Sequence, residues 1–566
     1  MKNRRRGVLC CVVGGALIVA LLIYSLTLGE RNARTVTPVR VSRESGFYEE
    51  PFYLEMTCDS GEIRYTLDST EPDEHSLLYT GPILIEDASA NENVYSMIED
   101  VCIELRKDIL EIAGREPKYG FKTPAQPVDK ATVIRAVCID AFGNRSEIVN
   151  RVFFVGFGKK KAYDGMNIIS ITTNPDNLFD YEKGIYVLGK TFDDTLVEGA
   201  GVPPALPNLG NWAGNYKNRG RDWEREAYIC FFDTERNMTL SGYYGIRIQG
   251  GASRYMLPKS LNIFARKRYG AETIPALPLF GEDWQLKSVN LNAGGQGVET
   301  KIHDPLVNAL VEDCDVLTRE YEPYELFLDG EYWGVYWLTP RFKRDYFENK
   351  YLIKDGDVIE TKVDHIEIGT DEDYGPYKDL MRLIADNDLT DEENYARVCE
   401  AIDLESWIDY YAIELYIANT DWPNNNRSLW RVRNVENQPD ADGKWRWVMF
   451  DVNLSMNPER AQDDFVSRTA KRDAIFASLI ENKSFKKALY AKLVTLAKTN
   501  FNSKRVYAFV KDYVAKMRHA MGNEYARFMN DRTEEDFIKS CKDIITFFRL
   551  RQDYILEAYS GKKKEK

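Results

Sequence analysis

The chain begins "MKNRRR" and then runs from Gly7 to Leu28 without a charged residue. That run is long enough to span a bilayer, and longer than the roughly 7–15 apolar residues at the heart of a signal peptide. Four basic residues precede it, so the positive-inside rule keeps residues 1–6 cytoplasmic and sends the remainder of the chain across. The expectation is a signal anchor over 7–28 in the cell membrane, a linker over 29–44, and a chain whose bulk folds outside the cytoplasm. Cleavage near the small residues Thr27 and Gly29 is the alternative.

The segment beyond the linker has to build its own cores. A length of 566 residues is enough for three or four domains, and 44% hydrophobic residues suit globular ones. A net charge of −14 argues against nucleic acid as a partner, because phosphate binding needs a basic stripe; the terminal "GKKKEK" is too short to reverse this and reads as a solvated tail. The nine cysteines form no C-x-x-C pair and two of them, Cys10 and Cys11, lie in the apolar run. A disulfide framework or zinc site is not expected. His75, His303, His365 and His519 are far apart and suggest neither a metal cluster nor a Ser-His-Asp set.

From Gly46, short alternating runs such as "FYLEMTC", "GEIRYTLD", "GPILIED", "ATVIRAVCID" and "RVFFVG" are separated by Gly, Pro, Asn and Asp. They predict an all-β, Ig-like antiparallel sandwich over 45–156, interrupted by a short helix within 91–114. "GEIRYTLDSTEPDEHSLLYTGPILI" and "VIRAVCIDAFGNRS" resemble the small β-sandwich appended to chitobiases and β-hexosaminidases. Tyr65, Thr66, Asp68, Pro72 and Tyr79 match its hallmark, while Asp68-Ser69-Thr70 stands where that family usually reads Asp-Gly-Ser. The resemblance implies a module without chemistry of its own, a spacer or a carbohydrate-binding element.

Beyond Met166 the texture becomes mixed α and β. "GYYGIRIQG", "KSLNIFARK", "SVNLNAG", "YELFLDG" and "YWGVYWLT" read as strands, and Asp329-Gly330 between the last two is a hairpin turn. Helical periodicity dominates 376–387, 391–401, 403–418 and most of 472–530.

Between helix and strand lies "NTDWPNNNRSLWRV". In the helix before it, Leu404, Trp407, Ile408, Tyr411 and Leu415 form one apolar face; Asp403 is a plausible N-cap and Pro423 blocks continuation. "RSLWRVR" and "KWRWVMFD", separated by a polar turn containing Asp442-Gly443, predict a hairpin. The start of one strand then faces the end of the other, so Asn426 should lie beside Asp451, with Asp421 entering the same corner. Asp421 and Asn426 have the Asp-x-x-x-x-Asn spacing of a protein-kinase catalytic loop, and Asp451 the placement of its second metal-binding Asp. Such chemistry wants hard oxygen ligands for Mg²⁺ and a carboxylate for the substrate hydroxyl.

The wider sequence resembles the spore-coat protein H (CotH) kinase family, atypical protein kinases of spore coats and bacterial cell surfaces. "WEREAYICFFD", "GIRIQGGASRYMLPKSLNIFARKRYG", "FLDGEYWGVYWL", "YYAIELYIANTDWPNNN" and "WRWVMFDVN" carry it in family order. It implies an α+β kinase-like domain over 160–537, followed by a helix and tail over 538–566. By the resemblance Asp421 is the catalytic residue, Asn426 and Asp451 bind the metal, Lys259 contacts phosphate, and Ser253 and Arg254 lie near the nucleotide. The implied cofactor is ATP with Mg²⁺ or Mn²⁺. The implied partner is a protein at the cell surface or envelope, phosphorylated on Ser or Thr, with cell-wall carbohydrate as a further partner of the sandwich. Thr339-Pro340-Arg341 replaces the family's Arg-Glu-Arg, Asp451-Val452-Asn453 its Asp-x-Asp, Asn292 an Arg, and His303 another Arg. These departures leave a second reading open: a catalytically degenerate member serving as a binding or scaffold module.

Overall fold

The computed structural model describes residues 36–112, 114–198, 213–275, 277, 284–353, 356–434 and 440–560. The expected membrane span at 7–28, its flanks and the tail after residue 560 lie outside them. Among the described residues no helix is long and apolar enough to cross a membrane. The chain divides into two units, the smaller made of residues up to Ala88 together with Lys130–Phe157, the larger of Ser89–Asp129 with Gly158 onward.

The smaller unit is β-rich, as its alternating sequence predicts. Five strands pair in the order Gly46–Tyr48, Val149–Val155, Thr132–Ile139, Glu62–Thr66 and Leu77–Leu78. The first pair is parallel, Gly46 opposite Phe153, where the sequence pattern predicts an antiparallel sandwich. Against this sheet lie two ribbons, Phe52–Leu54 with Ile83–Ile85 and Arg40–Val41 with Met56–Thr57. Leu54, Met56 and Ile85 from the ribbons share a core with Ile63, Ile134, Ala136, Cys138 and Phe153 of the sheet. At the turn where related modules carry glycine, Ser69 adopts a left-handed φ of 62°. Asp68 Oδ1 holds that turn by accepting from the Thr70 amide and hydroxyl (3.1 and 2.6 Å).

The predicted interruption of this module does not stay with it. Residues 89–129 form short 3-10 turns and one helix, Lys107–Ile112, and Val101, Cys102, Ile103 and Leu105 join the core of the larger unit.

In the larger unit seven strands close into a barrel: Asn167–Thr172, Arg225–Phe232, Met238–Ile248, Leu261–Phe264, Ser288–Asn292, Glu331–Pro340 and Glu322–Leu328. Closure comes from a parallel pairing of the first with the last, Ile169 opposite Leu326. The Asp329-Gly330 turn forms as expected, with φ of 48° and 88°, the left-handed pair a two-residue hairpin demands. Alternate residues, including Ile169, Ile229, Ile246, Leu261, Val289, Leu326 and Leu338, fill the interior.

The remainder is a four-stranded antiparallel sheet (Ile366–Ile368, Val358–Lys362, Ser428–Val432, Arg446–Trp447) among helices. Asp403 caps Leu404–Tyr416, accepting from the Ser406 amide (3.2 Å). That helix is buried on nearly every side, Asp409 and Glu414 included, where its sequence pattern marked one face. It ends before Pro423 can act: Ala418 turns left-handed (φ 56°) and the Arg551 guanidinium takes the last carbonyls, Leu415 O (2.6 Å) and Tyr416 O (3.0 Å). Arg551 belongs to Glu534–Tyr559, which starts four residues before the expected boundary at a Thr533–Asp536 capping box.

Candidate active site

The hairpin sets the site. Ser428–Val432 pairs with Arg446–Trp447, Leu429 opposite Trp447, so the residues before one strand meet those after the other. Asn426 Nδ2 donates to the main-chain carbonyl of Asp451 (3.3 Å) and to Asp421 Oδ2 (2.9 Å). Asn425 Nδ2 donates to Asp421 Oδ1 (2.8 Å). Two of the three consecutive asparagines therefore hold one oxygen each of the same carboxylate, while Asn424 is exposed. Behind them, the Asp421 amide donates to Asn419 Oδ1 (3.1 Å), and Asn419 Nδ2 donates to Glu414 Oε2 (2.9 Å). The Trp422 indole donates to the Tyr410 hydroxyl, whose ring stacks on Trp447 at 4.3 Å. Asp421, Asn426 and Asp451 thus converge as the hairpin argument requires.

Asn426 and Asp451 both have left-handed backbones, φ 58° and 57°. Short polar residues tolerate that region best, because their side chains can hydrogen-bond locally. After Asp451, the Val452 amide donates to buried Asp304 Oδ1 (2.8 Å), and Asn453 Nδ2 donates to Asp451 Oδ1 (3.2 Å). A turn at Gly294–Gly297 closes the other side. A Cβ on Gly295 would lie 3.5 Å from Ser253 Cβ and 3.8 Å from Asn453 Nδ2; one on Gly297 would lie 2.8 Å from Asn453 Oδ1. Ser253 and Asn453 therefore face one gap, and Gly297 is a glycine because Asn453 occupies its side-chain space.

The site is acidic. Burial pushes the Glu414 carboxyl up to about 8, with Asp304, Asp451 and Asp421 adding to the rise, and Glu414 Oε1 has no partner among the described residues. Burial likewise raises Asp304. Asp451 is held above the ordinary carboxylate range by the protein around it and by Asp304 and Asp421, although water reaches its side chain. Carboxyls that raise one another in this way favour a cation in their midst. The donors near Asp421 are carboxylates and an amide, hard oxygens that suit Mg²⁺ or Mn²⁺. Among the described residues no group of three or more His, Cys, Asp and Glu is spaced to hold a metal ion by itself. The amide of Asn426 and the oxygens of a substrate would have to complete the shell.

Lys259, assigned to phosphate by resemblance, makes no hydrogen bond or ion pair with Asp421, Asn426 or Asp451. It precedes Leu261 and Ile263 by even steps and so shares their inward face. Its ammonium is fully buried, donates to Arg254 O (2.8 Å) and Met256 O (3.4 Å), and lies 4.2 Å over the Tyr216 ring. Burial lowers it to about 7. The expected ion-pair partner is absent as well: Pro340 ends its strand opposite Val289. Arg254 braces the turn that carries Ser253, donating to Gly250 O (2.8 Å) and to Tyr216 O (2.9 Å).

A structural Lys259 predicts a pH signature. An amine whose folded pKa is depressed leaves the unfolded chain binding more protons between about 7 and 10.5, so its contribution to stability rises with pH across that window. Lys259→Met should stay within about 2 kcal/mol of wild type at pH 7. Wild type should then gain on the variant as pH rises to 9.5, in urea unfolding at the two pH values.

Two of the family departures also find places. Asn292 Oδ1 accepts the Gly294 amide (2.7 Å) and so starts the glycine turn. Burial lowers His303 to about 4, leaving a neutral imidazole whose Nδ1 has no partner among the described residues. Sequence reasoning missed Asn425, Glu414, Asp304 and the glycine turn. The available signal was the pair of acidic residues Asp409 and Glu414 standing among apolar residues in that helix.

Two family models match the chain. Residues 45–153 match the model described as Fn3 associated, and residues 246–555, more than half of the chain, match the model described as CotH kinase protein. No curated protein matches it. The second match spans the glycine turn, Asp304, Glu414 and the Asp421–Asn426–Asp451 corner alike, and the chain belongs to the CotH kinase family.

Proposed function

We propose that the chain is an extracytoplasmic, membrane-anchored protein kinase of the CotH type, which transfers the γ-phosphoryl of ATP to a Ser or Thr hydroxyl of a surface or coat protein. The observation that carries this reading is the convergence of Asp421, Asn426 and Asp451 in one acidic recess. Asp421, fixed by Asn425 and Asn426, orients the acceptor hydroxyl and takes its proton. Asn426 and Asp451 are the residues that would hold Mg²⁺ or Mn²⁺. When bound, such an ion would supply charge neutralisation at the transferring phosphoryl group. The apolar Gly7–Leu28 run with its basic flank supports the anchor.

The test is metal-dependent incorporation of phosphate from ATP into the protein itself or a generic acceptor. Asp421→Asn should suppress it at least a hundredfold while leaving ATP affinity within about threefold, because this residue acts on the hydroxyl. Loss of ATP binding in that variant would contradict its assigned role. A second reading, a degenerate CotH-fold binding module, is favoured by sealed Lys259 and by an amide at Asn453 in place of a carboxylate. Absence of both transfer and metal-dependent ATP binding at millimolar ATP would select it.

A further inference from the structure

The cysteines are scattered in sequence, yet the fold brings two of them together inside the smaller unit. Cys58 directly follows the ribbon strand Met56–Thr57, and Cys138 lies in the sheet strand Thr132–Ile139. Met56 is buried, Thr57 exposed and Cys58 partly buried, so alternation turns Met56 and Cys58 to the same side. Ile134, Ala136 and Cys138 alternate likewise and share with Met56 the core between ribbon and sheet, against which Cys58 packs. The two side chains therefore enter one space from facing layers.

The turn between ribbon and sheet fixes the meeting. Residues 58–61 lead into Glu62–Thr66, which pairs with the strand of Cys138, Ile63 opposite Cys138. Gly61, with φ 107°, presses on that strand: a Cβ there would lie 2.2 Å from Ile139 O, so no other residue fits. Cys138 Sγ donates to Ser60 O (2.9 Å) and Cys58 Sγ to Gly61 O (3.7 Å), two consecutive carbonyls. The Cys138 backbone is held from its other side, its amide donating to Ser146 Oγ (3.0 Å) and its carbonyl accepting from the Ser146 amide (2.9 Å). Asp59 is tied back to Arg40 (2.7 Å). Burial pushes the Cys138 thiol up to about 12, and the neighbouring Cys58 thiol adds to the rise.

Buried thiols ordinarily serve as small apolar side chains. This pair differs, because Cys58 is partly exposed while its neighbour is sealed behind it. We propose that Cys58 and Cys138 are a disulfide-forming pair, closed when an external disulfide such as oxidised glutathione reaches Cys58. Cys58 as thiolate attacks one sulfur of RS–SR, forming Cys58–S–SR and releasing RS⁻; the Cys138 sulfur then displaces the second RS⁻ from Cys58. Two protein thiols are oxidised, the external disulfide is reduced to two RSH, and the two cysteine protons end on them. The bond staples ribbon to sheet and closes a covalent ring that contains residues 89–129. In the cell it rests on the extracytoplasmic reading above, since disulfides persist in oxidising compartments; the pairing itself does not.

The test incubates the full-length chain in detergent with oxidised glutathione, alkylates the remaining thiols and maps an unreduced digest by mass. Most molecules should carry a peptide joining Cys58 to Cys138, retained in about a tenfold excess of reduced glutathione. The other partly exposed cysteines, Cys314 and Cys399, should appear only as thiols or single glutathione adducts. Cys138→Ser should trap glutathione on Cys58; if that variant does not fold, Cys138→Ala, which keeps a small apolar side chain, takes its place. A folded wild-type chain with glutathione on Cys58 and a free thiol at Cys138 would overturn the proposal, as would Cys58 bonded to another cysteine or no cross-link at all. Thermolysin cleavage within residues 36–88 should set in about 5 °C or more higher in the oxidised chain, and an equal onset would overturn the staple. A bond formed by glutathione but absent from chain alkylated in intact cells would leave the pair standing and sink the exported location.

Discussion

Glu524→Ala should lower the free energy of unfolding by about 3–5 kcal/mol, as expected when a buried ion pair loses one partner. Glu524 Oε2 lies 2.6 Å from the Lys301 ammonium, and both side chains are fully inaccessible. The same oxygen accepts the Val335 amide (2.6 Å), and Lys301 also donates to Val335 O (2.6 Å). Removing the carboxylate strands an ammonium in an apolar interior and frees a buried amide. Replacing both partners, Lys301→Met with Glu524→Leu, should recover most of the loss, because no charge is then left unpaired. Urea unfolding of the two variants separates these outcomes. A single-variant loss below about 1 kcal/mol would mean that the pair is not sealed as described. The pair also ties the chain just after the glycine turn to the long helix Ser503–Phe528, so the single variant should loosen the turn that positions Asn453.

The second large effect is chemical. Asp451→Asn should reduce phosphate transfer about a thousandfold or more, since a metal ligand supplies several kcal/mol of charge stabilisation in the transition state. Unlike Asp421→Asn, it should also abolish the metal dependence of ATP binding. Asn453→Asp replaces an amide that donates to Asp451 Oδ1 with a second carboxylate. It should tighten metal binding and leave the metal-free protein less stable through like-charge repulsion. Titration of Mn²⁺ into the three proteins, alongside transfer assays, checks both statements. Undiminished transfer by Asp451→Asn would remove the residue from the site.

Much of this corner is legible in the sequence alone. The Asp-Gly turns, the Asp403 cap and the Leu429–Trp447 hairpin depend on local chemistry, and the hairpin alone brings Asn426 to Asp451. The barrel is not legible there, because its closing pair joins Ile169 to Leu326 across many intervening residues and parallel pairing leaves no turn to mark it. Asn262 and Asn290 escape for a related reason: they alternate with apolar residues as a solvent face would, yet are only 8% and 3% exposed. Lys259, given its phosphate role by resemblance, is enclosed by Tyr186 and Tyr216, which its residue type alone does not indicate. Residues 89–129 mislead because their sequence position lies inside one module and their apolar side chains belong to the other unit's core.

The left-handed backbones at Asn426 and Asp451 limit which mutations can ever be sampled there. A β-branched or bulky side chain at either position would meet a steric penalty of about 1–2 kcal/mol before any question of chemistry arose. Asn, Asp and Gly are the economical occupants, and two of those three are oxygen donors. Drift at these positions is therefore channelled: a lineage that loses phosphoryl transfer can exchange Asp for Asn or Gly cheaply and keep the fold. Asn426 and Asp451 stand under this constraint, whereas Asn453, which lacks a left-handed backbone, can be exchanged more freely.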